Sequence, residues 1–256
     1  MRLLTYNIHK GIGGSDRRYR LPRIIEVIEH ENPDLILMQE VTHLFKRCGG
    51  DDQCTLLADH FRAVDRMYQL NVNLKTGGYG NLLLSRWPIT ERHQISLRLK
   101  LKKPRGAQIA VVATPEGPVK IVNLHLGLAE KERHWQVAHL LGHRLFQATK
   151  DLPELLVGDW NDWRNTLAGG PMHAHGFSHV TTPPSRFRSF PAWFALGSLD
   201  KAFHRGGVTV KEARIVASKA AKTASDHLPL VIDFHLEPFS LGEKVADRPD
   251  EGRASV

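Results

Sequence analysis

Four short apolar runs in this chain break off in polar side chains, and this recurrence constrains the fold more than any other feature. RLLTYN ends at Asn7, DLILMQEV carries Gln39 and Glu40 near its end, VKIVNLH ends at His125, and ELLVGD ends at Asp159. Runs of this length, rich in Leu, Ile and Val, read as buried strands. In the last of them Gly158 marks the break. Residues two apart in extended chain share a face, so Asp159 and Asn161 of GDWND present a carboxylate and a carboxamide side by side at the strand's C-terminal edge. Such a pair can hold a water molecule against an anionic ester. An isolated GDxN is more often a plain turn, a lone glutamate after LILM a solvated strand terminus, and a lone strand-end histidine structural. Their repetition at successive strand ends argues for a site.

With 256 residues the chain is long enough for a substantial core in one α/β or two-sheet domain. It has no apolar run long enough to span a bilayer, and its first residues already read as a strand rather than a leader, so a cytoplasmic location is expected. Cys48 and Cys54 are too few for a disulfide framework and read as free thiols, although their spacing permits a loop bridge. Lys and Arg number 35 against 27 Asp and Glu, a net charge of +8. That surface attracts polyanions: nucleic acid, anionic lipid headgroups in peripheral contact, or phosphorylated metabolites. Basic charge for solubility alone explains it equally well.

Between these runs, KGIGGSDRRYR forms a basic rim with Arg17, Arg18 and Arg20, and Pro22 opens a helix whose Ile24, Ile25, Val27 and Ile28 form an apolar stripe. KRCGGDDQC reads as an exposed turn before a short helix from Thr55. Residues 94–100 and 108–113 form a hairpin across the basic turn KKPRG, and Lys131 to Phe146 a helix. His139 and His143 lie four apart in that helix without the Glu of a metalloprotease motif, and read as surface or packing residues. The histidines of MHAHGFSH are weak metal candidates for want of cysteine or acid partners. Residues 181–194 interleave Arg with Phe187, Phe190, Trp193 and Phe194, either a substrate-facing loop able to stack or an ordinary packed connection. TASDHLPL then sets Ser225, Asp226 and His227 in a turn before a final strand. Among the strand-edge groups, Asn7, Glu40 and Asp226 offer the oxygen ligands that a hard cation such as Mg²⁺ prefers.

TYNIH, LMQE, GNLLLSRWPI, NLHL, GDWND and SDHLPL, in that order, resemble the endonuclease/exonuclease/phosphatase superfamily, which includes deoxyribonuclease I, apurinic endonucleases, neutral sphingomyelinases and inositol polyphosphate phosphatases. The chain looks most like a compact bacterial branch of it. The resemblance implies an α/β, DNase I-like four-layer sandwich of two mostly antiparallel β-sheets flanked by helices over residues 1–238, while 239–256, which lack apolar period, read as a disordered tail. It implies Glu40 as principal metal ligand with Asn7 and Asp226, binding Mg²⁺ with Mn²⁺ able to substitute. Asp159 would orient or deprotonate the attacking water, Asn161 hold a phosphoryl oxygen, His227 paired with Asp200 contact the scissile phosphate, and His125 stabilise charge there. Arg105, in PRGAQ, matches a phosphate-contacting segment.

The resemblance departs from the apurinic endonucleases at His9, where that subclass carries a second acidic metal ligand. His9 therefore either binds substrate or packs, and abasic-site repair is disfavoured. The expected activity is metal-dependent phosphodiester hydrolysis by in-line attack of water, nuclease-like, in a monomer. A phospholipid or small-molecule phosphodiesterase or phosphatase is the alternative within the class. A non-catalytic polyanion-binding module is the alternative outside it, disfavoured because every required position carries the required chemistry.

Overall fold

A computed structural model of the chain describes residues 1–237. The tail expected at 239–256 lies outside the described residues. Among the described residues twelve strands make two six-stranded sheets. The first sheet has the order β11 (Val208–Ile215), β12 (Leu230–Leu236), β1 (Arg2–Asn7), β2 (Leu35–His43), β4 (Gly78–Ser85), β3 (Asp65–Asn73). The second has the order β5 (Ile89–Ser96), β6 (Gly106–Thr114), β7 (Gly117–His125), β8 (Glu154–Asp159), β10 (Asp200–Arg205), β9 (Ser178–His179). Among the described residues only β1–β2 and β7–β8 pair in parallel. Helices α1 (Leu21–Glu31), α2 (Gln53–His60) and α5 (Lys219–Ala224) cover the first sheet, and α3 (Glu130–Gly142) with α4 (Arg144–Gln147) the second.

Strand alternation sorts the apolar residues into three layers. Leu4, Tyr6, Ile8, Ile36 and Met38 face α1, α2 and α5, where Ile24, Val27, Ile28 and Leu57 complete the layer. Leu3, Leu35, Leu37, Leu83, Ile121, Leu155 and Val157 meet between the sheets. Val122, Leu124 and Leu156 pack against Val137, Leu140 and Leu141 of α3. Pro22 occupies the first turn of α1, and Asn32 ends that helix in the left-handed region at φ 47°.

The inter-sheet face changes character along the strands. Leu3, Thr5 and Asn7 succeed one another on β1, Leu35, Leu37 and Gln39 on β2, Ile121, Asn123 and His125 on β7, and Leu155, Val157 and Asp159 on β8. Aliphatic side chains give way to buried polar ones, through an amide to an ionisable group on β7, to the amides Asn7 and Gln39 on β1 and β2, and directly to Asp159 on β8. Asn123 joins the sheets at the middle level. It donates through Nδ2 to Met38 O and Leu82 O (both 3.2 Å) and Gln108 Oε1 (2.9 Å), and accepts from Gln39 Nε2 at 2.7 Å. Buried amides satisfied this way fix the register of one sheet on the other.

Several local expectations are revised. The segment KRCGGDDQC is an exposed turn only in part: Lys46, Arg47 and Gly49 are exposed, whereas Cys48 and Gln53 are fully buried and Gln53 ties down Thr42 N and Lys10 O. Both cysteines are free and buried. The helix after residue 130 is broken at His143, whose ψ of 134° separates α3 from α4. His139 stacks on Trp135 at 4.9 Å, a packing role as expected. Strand β3 and helix α5 had no clear sequence signal, because β3 mixes polar and apolar residues on a partly exposed edge and α5 is short. Among the described residues no helix is long and apolar enough to cross a membrane.

Candidate active site

The polar ends of β1, β2, β7 and β8 open into one cavity of about 370 Å³. Asn7, His9, Glu40, Arg105, His125, Asp159, Asn161, Asp226 and His227 all line it. Asp200 stands directly behind, fully buried, with its Oδ2 2.8 Å from His227 Nδ1. The candidate residues are therefore brought together from a sequence separation spanning nearly the whole chain. Phe190 of the 181–194 segment, one of the residues read as able to face substrate, completes the wall with Lys103, Leu128, Trp163 and Leu199, which were not anticipated.

Asp159 is the hub. Its Oδ2 accepts from Asn7 Nδ2 at 3.0 Å and lies 3.3 Å from His125 Nε2 and 3.7 Å from His227 Nε2, while its Oδ1 accepts from the backbone N–H of Asn161. Gly158 makes this approach possible: at φ +142° an added Cβ would stand 2.0 Å from Leu124 O, so only glycine lets β8 lie this close to β7. Asn161, left-handed at φ 50°, gives one amide hydrogen to Leu126 O at 3.0 Å and retains a second donor.

Glu40 arrives by a different route from the others. The pairing of β2 with β4 slips between Met38 and Val41, and Glu40 takes φ 57°, so the strand bulges there and continues to His43 instead of ending. Simple alternation would send Glu40 toward α1, on the face of Met38. The bulge turns it into the cavity, where it pairs with the ammonium of Lys10. Lys10 Nζ also lies 4.7 Å from the Tyr79 ring centroid and Lys103 Nζ 5.3 Å from it. Nothing in the local sequence announces Lys10 as a site residue.

The electrostatics divide the two histidines. Burial alone would lower the His227 pKa, but the carboxylates of Asp200, Asp159 and Asp226 overcome it and raise the group to about 10, so the ring is cationic at neutral pH. Burial, reinforced by the Arg105 charge, holds His125 well below the ordinary value and leaves it neutral. Arg105 Nη1 can only donate to His125 Nδ1 (3.2 Å), which places the neutral ring's proton on Nε2, facing Asp159. Burial raises Asp159 to about 6 against the opposing His227 charge. For Glu40, burial works upward, yet the charges of Lys10, Lys103 and Arg105 hold it below the usual carboxylate range.

Two groups of ligand atoms present themselves. Asp159, Asp200 and His227 have ligand atoms within 4.8 Å of one another. The Asp200–His227 hydrogen bond already engages His227 Nδ1, so that trio forms a relay with one hydrogen-bonded link and one ion-pair contact, 3.7 Å from His227 Nε2 to Asp159 Oδ2. Asn7, Glu40 and Asp226 form an all-oxygen set in the same cavity, and the Lys10 ammonium on Glu40 shows that positive charge is stabilised there. This donor set fits a hard divalent cation. His9 packs beside it, its Nδ1 at 3.0 Å from Ile12 O and 3.7 Å from Asp226 Oδ1.

Other sequence candidates fall elsewhere. Arg17 and Arg18 are exposed on a loop that an Ile12–Tyr19 bridge closes, Arg20 is exposed just beyond it, and none of them lines the cavity. Of the MHAHGFSH histidines, His175 bonds Pro171 O and His179 bonds Thr181 Oγ1 while stacking on Phe203. Arg86 pairs with Asp34 away from the cavity.

The model of the Endonuclease/Exonuclease/phosphatase family matches residues 4–227. The chain belongs to this family. Uncharacterized protein YbhP of Escherichia coli strain K12 is 28% identical over 254 residues, covering 92% of this chain and 96% of its own. Among solved structures, an endonuclease/exonuclease/phosphatase from Beutenbergia cavernae superimposes with a TM-score of 0.79 at 21% identity, covering 93% of this chain and 72% of that one. A mannosyl-6-phosphatase of Bacteroides thetaiotaomicron gives a TM-score of 0.72 at 17% identity, with 91% and 99% covered. These likenesses fix the two-sheet DNase I-like fold, and at such identity they extend no further than the fold.

Proposed function

We propose that this family member is a divalent-metal-dependent phosphodiesterase, nuclease-like, that cleaves its substrate by in-line attack of water. One observation carries the reading: a buried carboxylate with a raised pKa, a histidine held cationic by a second carboxylate, and an all-oxygen donor set face a single cavity.

Asn7, Glu40 and Asp226 hold the cation, which when bound supplies Lewis-acid polarisation of a phosphoryl oxygen. Asp159, ionised at neutral pH yet basic enough to accept a proton, takes one from the attacking water at Oδ2. Asn7 donates to the same carboxylate and His125 Nε2 stands 3.3 Å from it, and together they keep it aimed. His227 gives its Nε2 proton to the leaving oxygen as the phosphorus–oxygen bond breaks, and Asp200 holds the ring from behind. The water's proton then returns to the imidazole by way of solvent in the cavity, since Asp159 Oδ2 and His227 Nε2 stand 3.7 Å apart, beyond direct hydrogen-bond reach, and both groups are restored. Arg105 Nε is buried without a hydrogen-bond partner, and with the free amide hydrogen of Asn161 it supplies fixed donors for the phosphoryl oxygens.

The test is Mg²⁺- and Mn²⁺-dependent hydrolysis by the wild type and Glu40→Ala on plasmid DNA, bis-p-nitrophenyl phosphate, p-nitrophenyl phosphate and a phospholipid diester. Metal-dependent cleavage of the diesters, lost in the variant, is expected. Turnover of the monoester alone would replace the reading with a phosphatase. No turnover on any of them, with DNA or anionic liposomes still bound, would favour a binding module.

A further inference from the structure

A second depression, of about 520 Å³, lies on the far side of the wall that carries Phe190. The wall is the strap 189–192. Ser189 O accepts from Leu228 N, and Ala192 N donates to Asp226 O, both at 2.8 Å, so the strap is fastened to the turn that bears Asp226 and His227. Phe190 looks into the catalytic cavity, its ring centroid 4.9 Å from that of His227, while Ala192 and Leu228 line the second depression. The strap and the turn thus line both hollows, Phe190 and His227 the catalytic one and Ala192 and Leu228 the other.

The second hollow has a composed lining. Arg186, Arg188, Arg214 and Lys222 border it and no carboxylate does. Arg214 is paired with Glu31, whereas Arg186, Arg188 and Lys222 make no ion pair among the described residues and are exposed. Between them stand Trp193, 52% exposed, and Phe194, 67% exposed. Large aromatic rings left in water beside unpaired cations lack a structural reason, since neither contributes to the core.

We propose that this hollow is a second, non-catalytic subsite that takes the unpaired nucleotides flanking the scissile phosphate of a single-stranded polynucleotide. Cations that track a phosphate backbone and rings that stack on bases are the two elements of single-strand recognition. A duplex hides its base faces and offers nothing for Trp193 and Phe194 to stack on. A bilayer surface calls for apolar side chains at a convex edge, whereas these rings share a concave groove with guanidinium groups. A phosphate seated against His227 and Arg105 leaves the adjoining nucleotides one strap's width from the groove. The inference deepens the phosphodiesterase reading and rests on it for the seat of the scissile phosphate.

The test is fluorescence anisotropy in EDTA with a labelled oligothymidylate of about 12 nucleotides, the same length as a hairpin duplex, and sedimentation with phosphatidylcholine–phosphatidylserine vesicles. The proteins are the wild type, Arg188→Gln with Lys222→Gln, and Trp193→Ala with Phe194→Ala, with hydrolysis of bis-p-nitrophenyl phosphate in Mn²⁺ followed in parallel. The wild type is expected to bind the single strand more tightly than the duplex. Each double variant should bind it about tenfold more weakly, with the salt slope falling by about 0.7 for each cation removed, while cleavage of the small diester persists. Unchanged oligonucleotide affinity in both variants, or equal affinity for the duplex, would overturn the proposal. Vesicle binding that disappears with Trp193 and Phe194 while oligonucleotide binding persists would overturn it in favour of a membrane contact. A wild type that binds the single strand through these residues but cleaves no diester would uphold the groove and sink the phosphodiesterase reading.

Discussion

His227 Nδ1 and Asp200 Oδ2 lie 2.8 Å apart with Asp200 fully buried, and the second oxygen of that carboxylate has no hydrogen-bond partner. Asp200 is thus committed to one imidazole. It fixes the ring's orientation and holds it protonated, so that Nε2 faces Asp159 as a donor. Asp200 touches no substrate on this account and is a positioning residue.

Asp200→Asn should preserve the fold and lower kcat for bis-p-nitrophenyl phosphate by roughly 100- to 10,000-fold, the range that general acid–base groups supply. An amide keeps the shape but no longer stabilises the imidazolium. The loss should be smaller at acid pH, where the ring is protonated without help. A pH-independent loss would instead indicate a purely structural role.

Glu40→Gln should weaken cation binding without touching the relay. The wild type gains thermal stability from a bound ion in proportion to RT ln(1 + [L]/Kd), about 2.7 kcal/mol when the ion stands at 100 times Kd. Titration with Mn²⁺ followed by thermal unfolding should show this gain in the wild type, with a roughly tenfold or greater rise in apparent Kd in the variant. Equal Mn²⁺ stabilisation of both proteins would remove Glu40 from the ligand set.

Asn123→Leu tests the inter-sheet junction. It strands Gln108 Oε1 and one of the two bonds of Gln39 Nε2 in a buried layer, and each orphaned group costs about 1–3 kcal/mol. A loss of about 3 kcal/mol with an unchanged m-value in urea is expected. A change below about 0.5 kcal/mol would show that the layer does not depend on this residue.

Lys201 gives a pH signature of stability. It is fully buried, held by Asn165 Oδ1 at 2.6 Å and by Ser198 O, and burial lowers its pKa from 10.5 to about 8. Between those values the unfolded chain binds more protons than the folded one, so this group's contribution improves as pH rises from about 8 toward 10.5 and is at its least below 8. Compared with Lys201→Met in urea unfolding, the wild type should therefore gain ground between pH 8 and pH 10. A stability difference that stays flat over that interval would contradict a depressed pKa.

Much of the site was legible in the sequence because strand alternation carries it. Once Leu3, Leu155 and Ile121 face the partner sheet, a period of two brings Asn7, Asp159 and His125 onto the same surface near its edge. Asn123 obeys that period too and was readable as a buried amide two residues before His125. The turn that seats His227 was marked by SDHLPL, but its pairing with Asp200 followed only from the family resemblance.

What the sequence by itself determined was therefore the strand cores and the polar ends in phase with them, since these depend on local periodicity, and, through the family resemblance of its motifs, the two-sheet fold class. What only the tertiary structure decided was the placement of groups that break the period. Glu40 is out of phase and reaches the cavity through a bulge whose extra residue exists only relative to β4. Lys10 meets Glu40 because a left-handed turn folds it back, and Lys103 joins them from a different hairpin. The pKa values of His125 and His227 diverge because their burial is alike and their charged neighbours are not. Charge, burial and cross-strand register act through space, so no local pattern of residues records them.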